Sequence, residues 1–514
     1  MALARAGRMT EALAAFDEAQ RIAPRDAALH VHRGLVLKEL GRFEDAAAAF
    51  GRAAELQPGL VAATANRGSA LLVLRRFEEA LGCFEQVLRV DPGSVEALNN
   101  RGSALFELRR FEESLASHEA ALALRPGHAS AFNNRGNALR ELDRLDEALT
   151  SFEAALRAQP DFAAAQANRA GVLLALGRVD EALVGFDTAL ALRPDYPDAR
   201  WGKAVTLLTI GRFAEGWRLH EARWQQRHAP PMRVMRADPP WLGEEALTGR
   251  SILLHAEQGL GDTLQFSRYA ALLRDQGVRV TLSVPPPLRT LLARSLPGVA
   301  VVDGDAPLAH HDRHCPLMSL PLALGARAPE PLAPAQRLRP DPERVARWAS
   351  WLGPRSRPRV GLVWRGNPAH RNDRRRSLPL SALRHALPEG LEYLSLQKQL
   401  LDEEVPMLAA AAVRDPAALL EDFDDTAALC QCLDLVVSVD TSVAHLAAGL
   451  GRPTWILLPF APDWRWMFER DDSPWYASVR LLRQGPDRGW GSVLARLARE
   501  LAALPRDQGG WGPR

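Results

Sequence analysis

From the start of the chain to about residue 228, apolar positions follow a helical spacing, and the helices themselves recur. Prolines fall at Pro24, Pro58, Pro92, Pro126, Pro160 and Pro194, each 34 residues after the last. In the same frame Gly34, Gly68, Gly102 and Gly136 mark a point where two helices must approach closely, and Ala46, Ala80, Ala148 and Ala182 a small contact in the second helix. Phe43, Phe77, Phe111 and Phe213, with Leu145 and Val179, supply a bulky plug, and Phe50, Phe84, Phe152 and Phe186 pack one turn beyond the alanine position. Each proline stops the second helix, because it lacks an N–H and clashes with the preceding turn. One such helical pair cannot bury its apolar stripe alone, so the pairs must stack into a solenoid with a concave groove.

The 34-residue period and its Gly, Ala and Pro positions resemble the tetratricopeptide repeat (TPR). The first unit is incomplete: Gly7, Ala12, Phe16 and Pro24 match a second helix with no first helix ahead of it, so either an apolar end is exposed or the true start lies upstream. The last unit drifts, with Gly216, His220 and Arg223 where small or aromatic residues stood before, as expected of a capping repeat. Asn66, Asn100, Asn134 and Asn168 share one repeat position, and their amides are expected to form a ladder on the concave face. Such amides can pair with a polypeptide backbone or bond within the array. Arg33, Arg67, Arg101, Arg135 and Arg169 follow at the next position, where a solvated face is the simpler reading.

The pattern changes at His228, where a proline-rich segment at 229–249 reads as a linker. Beyond it, SILLHA and VRVTLSV read as buried strands separated by a helix, and a second proline-rich stretch precedes VGLVWRG, LEYLSL, LDLVVSV and PTWILLP. Strands alternating with helices imply parallel sheets. The expected organisation is an α-helical solenoid over 1–228 and two Rossmann-like halves over 250–340 and 341–505, with a flexible tail at 506–514. Ligands of such sheets bind at the carboxyl ends of the strands, so the turns there decide function.

Composition narrows the classes. The 514 residues carry a formal net charge of only +2, which offers no global field for nucleic acid. No run of about 18 apolar residues exists to span a bilayer. Cys83, Cys315, Cys430 and Cys432 are too few and too scattered for a disulfide framework, which fits a reducing, cytoplasmic setting.

The chemistry-bearing residues cluster at strand ends. Asp440 closes the strand LDLVVSV, Thr441 and Ser442 open a helix whose first N–H groups can hold an anion, and His445 lies on the same helical face as Thr441. VSVDTSVAHLAAGLGRPTW resembles the D-T-x-x-x-H-L-A-A-x-L-G-x-P signature of glycosyltransferase family 9, the heptosyltransferase-like enzymes of GT-B fold, and the wider match runs from about Ser251 to Gln484. The resemblance implies a catalytic base in the turn after the first strand, here Gly261 and Asp262 of EQGLGDTLQF, although Asp262 also reads as a helix N-cap. It implies a cation on the donor diphosphate, and RSLP sets Arg376 at the family's Lys position and Leu378 at its Trp. Arg371, Arg374 and Arg375 add charge beside Arg376.

Helical repeats followed by such a pair of domains also resemble the architecture of protein O-GlcNAc transferases. Together the resemblances imply an inverting, metal-independent transfer from a nucleotide-diphospho sugar, a substrate rather than a cofactor, to a protein or other large acceptor guided by the repeats. Asp262 would be the base, and Gly261, Arg376, Asp440, Thr441, Ser442 and His445 would hold the donor. Two alternatives stay open: a scaffold whose transferase half has lost catalysis, and a transferase acting on a lipid-linked saccharide. His310, His311, His314 and Cys315 are ligand types without a zinc spacing, and Trp464 or Trp466 read either as stacking platforms or as a packed loop.

Overall fold

A computed structural model describes residues 2–226, 238–306, 310–326, 328–330, 333, 336–368 and 373–505. The expected linker is therefore described only from residue 238, and Arg371 and the expected tail at 506–514 lie outside the described residues. Two compact units result, residues 1–199 and residues 200–514.

The first unit is a stack of helical pairs. Helices Ala27–Glu39 and Phe43–Leu56 make one pair, and Val61–Val73 with Phe77–Val90, Val95–Glu107 with Phe111–Leu124, Ala129–Glu141 with Leu145–Ala158, and Ala163–Ala175 with Val179–Leu192 repeat it. Met9–Ile22 is preceded in this chain by the short helix Ala2–Arg5. Each second helix stops two residues before its proline. Each also opens with an Arg that grips an acid three residues on: Arg76 bonds Glu79 at 2.6 Å, and Arg110, Arg144 and Arg178 repeat the pairing.

The glycines are steric necessities. A Cβ on Gly34, Gly68 or Gly136 would stand 2.6, 2.8 or 2.7 Å from the ring of Phe50, Phe84 or Phe152. In the Gly102 pair the ring is that of His118, fully buried, and neither of its nitrogens has a hydrogen-bond partner. Burial pushes the His118 pKa down to about 4, so it packs as a neutral aromatic.

The second unit contains two parallel sheets. Strands β1 (Ser251–His255), β2 (Arg279–Val284), β3 (Ala300–Asp303) and β4 (Arg313–Pro316) form one, in the order β3-β2-β1-β4. Strands β5 (Arg359–Val363), β6 (Glu392–Ser395), β7 (Val413–Arg414), β8 (Leu435–Val439), β9 (Thr454–Leu458) and β10 (Val479–Arg483) form the other, in the order β10-β9-β8-β5-β6-β7. β5 and β8 are buried along their whole length, the pattern of a strand covered on both faces. The order reverses direction between β1 and β4 and again between β5 and β8, and these reversals open crevices at the carboxyl ends.

The break between units falls inside helix Pro197–Thr209, upstream of the boundary expected near 228. The reason lies in what the last helical pair buries. Leu208, Phe213 and Trp217 belong to the same apolar core as β1 and β2 of the first sheet. Arg223 is 1% exposed and binds Glu257, itself 6% exposed, through Nε at 2.8 Å and Nη2 at 3.0 Å. Arg223 Nη2 also donates to Ser319, and Glu221 completes the cluster. His220, beside Trp464, and Arg223, on Glu257, thus depart from the repeat because they pack against the α/β part of this unit, whereas Gly216 still lies against Leu208 of the preceding helix.

Candidate functional site

The carboxyl ends of β1, β5, β6, β8 and β9 converge on a cleft of about 1030 Å³ within the second unit. After β1, the backbone turns at Gly259 into helix Leu260–Phe266, and Asp262 Oδ2 accepts the Gly259 N–H at 2.9 Å. Its other oxygen pairs with Arg465, in the loop after β9. Asp262 is therefore not the N-cap, which is Gly259, but the third residue of the helix, reaching back to the cap N–H. Arg465 also bonds Asp463 Oδ1 at 2.7 Å and Gln265 Oε1 at 3.0 Å. Burial would lower its pKa, but Asp262 and Asp463 outweigh that and hold it above the usual arginine value.

The turn after β5 is locked from below. Trp364 is fully buried and donates to Glu404 at 2.7 Å, and Arg365 binds the same carboxylate at 2.9 Å. Gly366 donates to Ser377 at 3.0 Å, and a Cβ there would lie 2.5 Å from both Arg376 Nη2 and Asp373 Oδ1. Arg376 is thereby laid across the turn, with Nη1 donating to the Asp440 carbonyl at 2.9 Å. Leu378 is buried in one apolar cluster with Trp364 and Leu380 and does not line the cleft. Arg375 lines the cleft and Arg374 is exposed.

Asp440 follows β8, and burial, joined by Asp463, pushes its pKa up to about 6 while Arg376 pulls it back. Thr441 precedes helix Ser442–Gly449, but its hydroxyl turns to Ser438 at 3.0 Å instead of capping the helix. Ser442 and Val443, whose N–H groups belong to the first turn and have no intrahelical acceptor, line the cleft. His445 is 5% exposed, with Nδ1 3.1 Å from the Tyr476 hydroxyl and Nε2 4.0 Å from Asp440 Oδ1. Burial, reinforced by Arg465, lowers its pKa to about 3, so the imidazole is neutral. Gly261 makes room for it: a Cβ there would stand 2.8 Å from His445 Cδ2.

Of the residues singled out from sequence, Gly261, Asp262, Arg376, Asp440, Thr441, Ser442 and His445 all line this one cleft. Arg465 and Asp463 were missed, because an arginine between two tryptophans carries no signal until Asp262, 203 residues away, is seen beside it. Lys398 was missed too; it lines the cleft and donates to the carbonyls of Ala417 and Leu420. Trp464 and Trp466 are 3% and 0% exposed, so they are packed rather than offered to a ligand. His314 sits between the Asp238 carbonyl at 2.9 Å and His255 at 3.3 Å, and His310 is exposed. Among the described residues no three His, Cys, Asp or Glu side chains are grouped to hold a metal ion, and no helix is long and apolar enough to cross a membrane.

In the first unit, Asn134 Nδ2 donates to Asn99 at 3.1 Å and Asn168 Nδ2 to Asn133 at 2.9 Å, while Asn66 Nδ2 bonds the Ala62 carbonyl at 2.8 Å. Asn100 accepts from Asn99 at 3.5 Å. The amide donors of Asn66, Asn134 and Asn168 are thus engaged inside the array, and Asn100 takes part through its oxygen. The arginine column is engaged as well, with Arg33 on Asp17, Arg135 on Glu119 and Arg169 on Glu153.

Residues 31–81, 65–129 and 133–187 match the tetratricopeptide repeat model, and the helical array is made of such repeats. Protein FlbA of Caulobacter vibrioides is 28% identical over 315 residues, a match that covers 56% of this chain and 52% of FlbA. The chain therefore spans about half the length of that relative. Among solved structures, YrrB, a TPR protein with an unusual peptide-binding site, is 26% identical over 36% of this chain and 95% of its own, with a TM-score of 0.30. A thermophilic TPR protein of Thermus thermophilus is 25% identical over 36% of this chain and all of its own, with a TM-score of 0.32.

Proposed function

We propose that the second unit is a glycosyltransferase of GT-B type whose cleft takes a nucleotide-diphospho sugar, and that the repeats hold a polypeptide or other large acceptor. The observation that carries this reading is the convergence of the turns after β1, β5 and β8, from two separate parallel sheets, on one cleft with Arg376 laid over the Asp440 carbonyl. A guanidinium and a helix N-terminus on one wall suit a diphosphate, whose developing charge they stabilise without a metal. The resemblance of residues 437–455 to the family 9 signature supports the same assignment. Asp262, in the helix that follows β1, would accept the proton of the attacking hydroxyl.

A second reading has one observation behind it. Both Asp262 oxygens are engaged, one by Arg465 and one by the Gly259 N–H, which suits a nucleotide-sugar-binding scaffold without turnover. A screen of nucleotide-diphospho sugars for hydrolysis and transfer separates the two. Turnover that falls at least about a hundredfold in Asp262→Ala, the usual contribution of general acid-base catalysis, identifies a transferase. Binding without turnover identifies the scaffold, and absence of both removes the nucleotide-sugar assignment.

A further inference from the structure

Tyr476 has no part in the function proposed above, yet it is the buried partner of a cleft residue. It is 2% exposed, and its hydroxyl lies 3.1 Å from His445 Nδ1. Burial raises its pKa to about 12, so the hydroxyl keeps its hydrogen. Arg268 lies over its ring, the guanidinium carbon 5.0 Å from the ring centre, and interacts with the tyrosine side chain. Arg268 is 7% exposed and donates to the carbonyls of Gln265, Glu330 and Trp475, leaving Nη2 without an acceptor at hydrogen-bond distance.

These surroundings decide the direction of the bond between Tyr476 and His445. A guanidinium has only donors, so it favours the lone pairs of the tyrosine oxygen and repels its hydrogen. If His445 donated to Tyr476, the hydroxyl hydrogen would be buried beside a cation with no acceptor. If Tyr476 donates to Nδ1, every requirement is met at once. A neutral imidazole carries one proton, which then sits on Nε2. The ring cannot turn away: Trp466 stacks on it at 5.2 Å and 28°, and Gly261 leaves no space for more than a hydrogen on the facing side. Nε2 is 4.0 Å from Asp440 Oδ1, beyond hydrogen-bond distance, on the wall of the cleft.

We propose that Tyr476 is a positioning residue that holds His445 as its Nε2–H tautomer, so that the cleft presents a preset neutral N–H donor to an oxygen of the bound ligand. The tautomer follows from the burial and the neighbours of Tyr476 and His445; the identity of the ligand as a diphosphate rests on the function proposed above.

The test is long-range proton–nitrogen NMR of the full chain labelled in its histidine rings, with His445 assigned through His445→Gln. The wild type should show Nε2–H at His445, and Tyr476→Phe, which keeps the ring packing, should lose that tautomer without loss of near-ultraviolet dichroism. An Nδ1–H signature in the wild type, or an unchanged tautomer in Tyr476→Phe, overturns the proposal. Inorganic pyrophosphate, titrated into both proteins, should bind about tenfold more weakly to Tyr476→Phe, the loss of one hydrogen bond. Equal affinity in the two proteins overturns the donor role. The expected tautomer with no pyrophosphate binding in either protein upholds the lock and removes the diphosphate reading instead.

Discussion

The two compact units reach their cores by opposite routes. In residues 1–199 the decisive contacts are made 16 residues along the chain, Gly34 with Phe50, Gly68 with Phe84 and Gly136 with Phe152, and each is a copy of the one before. In residues 200–514 the contacts that build the cleft join distant segments, Gly261 with His445, Asp262 with Arg465 and Arg268 with the Trp475 carbonyl. Recurrence makes the first unit stable in small increments and tolerant of local damage. Non-local assembly makes the second sensitive at single points, and it is there that charged groups are brought face to face.

The sharpest contrast is expected at Arg223. Replacing it with Ala leaves Glu257 buried without its cation, a loss of about 3–5 kcal/mol. Hydrogen exchange should rise throughout residues 200–514, while helices such as Phe43–Leu56 keep their protection. Uniform loss across both units would show that they fold as one.

His118 tests the repeat from within. Its folded pKa of about 4 lies below the usual value of 6.5, so the unfolded chain takes up a proton first as pH falls. Stability of the array therefore drops as pH goes from about 6.5 to about 4, by an amount on the order of 3 kcal/mol, and stays low beneath that. His118→Phe restores the residue used in the neighbouring pairs and should abolish this slope in the exchange of helices Val95–Glu107 and Phe111–Leu124. A slope that persists in the variant would place the acid sensitivity elsewhere.

One substitution should change sign between the units. Gly261→Ala forces a methyl onto His445 and should destabilise by about 1–3 kcal/mol. Gly82→Ala, inside helix Phe77–Val90 where a Cβ meets nothing within 4 Å, should stabilise by about 0.5–1 kcal/mol. Denaturant midpoints of the two variants decide it, and a shared sign would contradict the comparison.

The same contrast explains what was legible in the sequence. A 34-residue period exposes its own contacts, so the helices, their glycines and their prolines were readable residue by residue. Six strands were readable because buried parallel strands are continuous apolar runs. The turns at 259–262, 365–367 and 440–445 followed from where those strands ended. Partners across the fold were not legible. Arg223 looked like drift in a repeat because Glu257 and Ser319 give no hint of it, and Trp464 and Trp466 stayed open between stacking platform and packed loop because their covering residues come from elsewhere. The asparagine column was visible, but not that Asn99 and Asn133 would take up the amides of Asn134 and Asn168.

Titration of nucleoside diphosphates and their sugar conjugates into the wild type and Arg376→Ala tests the central claim most directly. The account predicts saturable binding to the wild type and a loss of about 1.5–3 kcal/mol in the variant, the contribution of a hydrogen bond to a charged group. Failure of every nucleotide to bind, or equal affinity in both proteins, would contradict it.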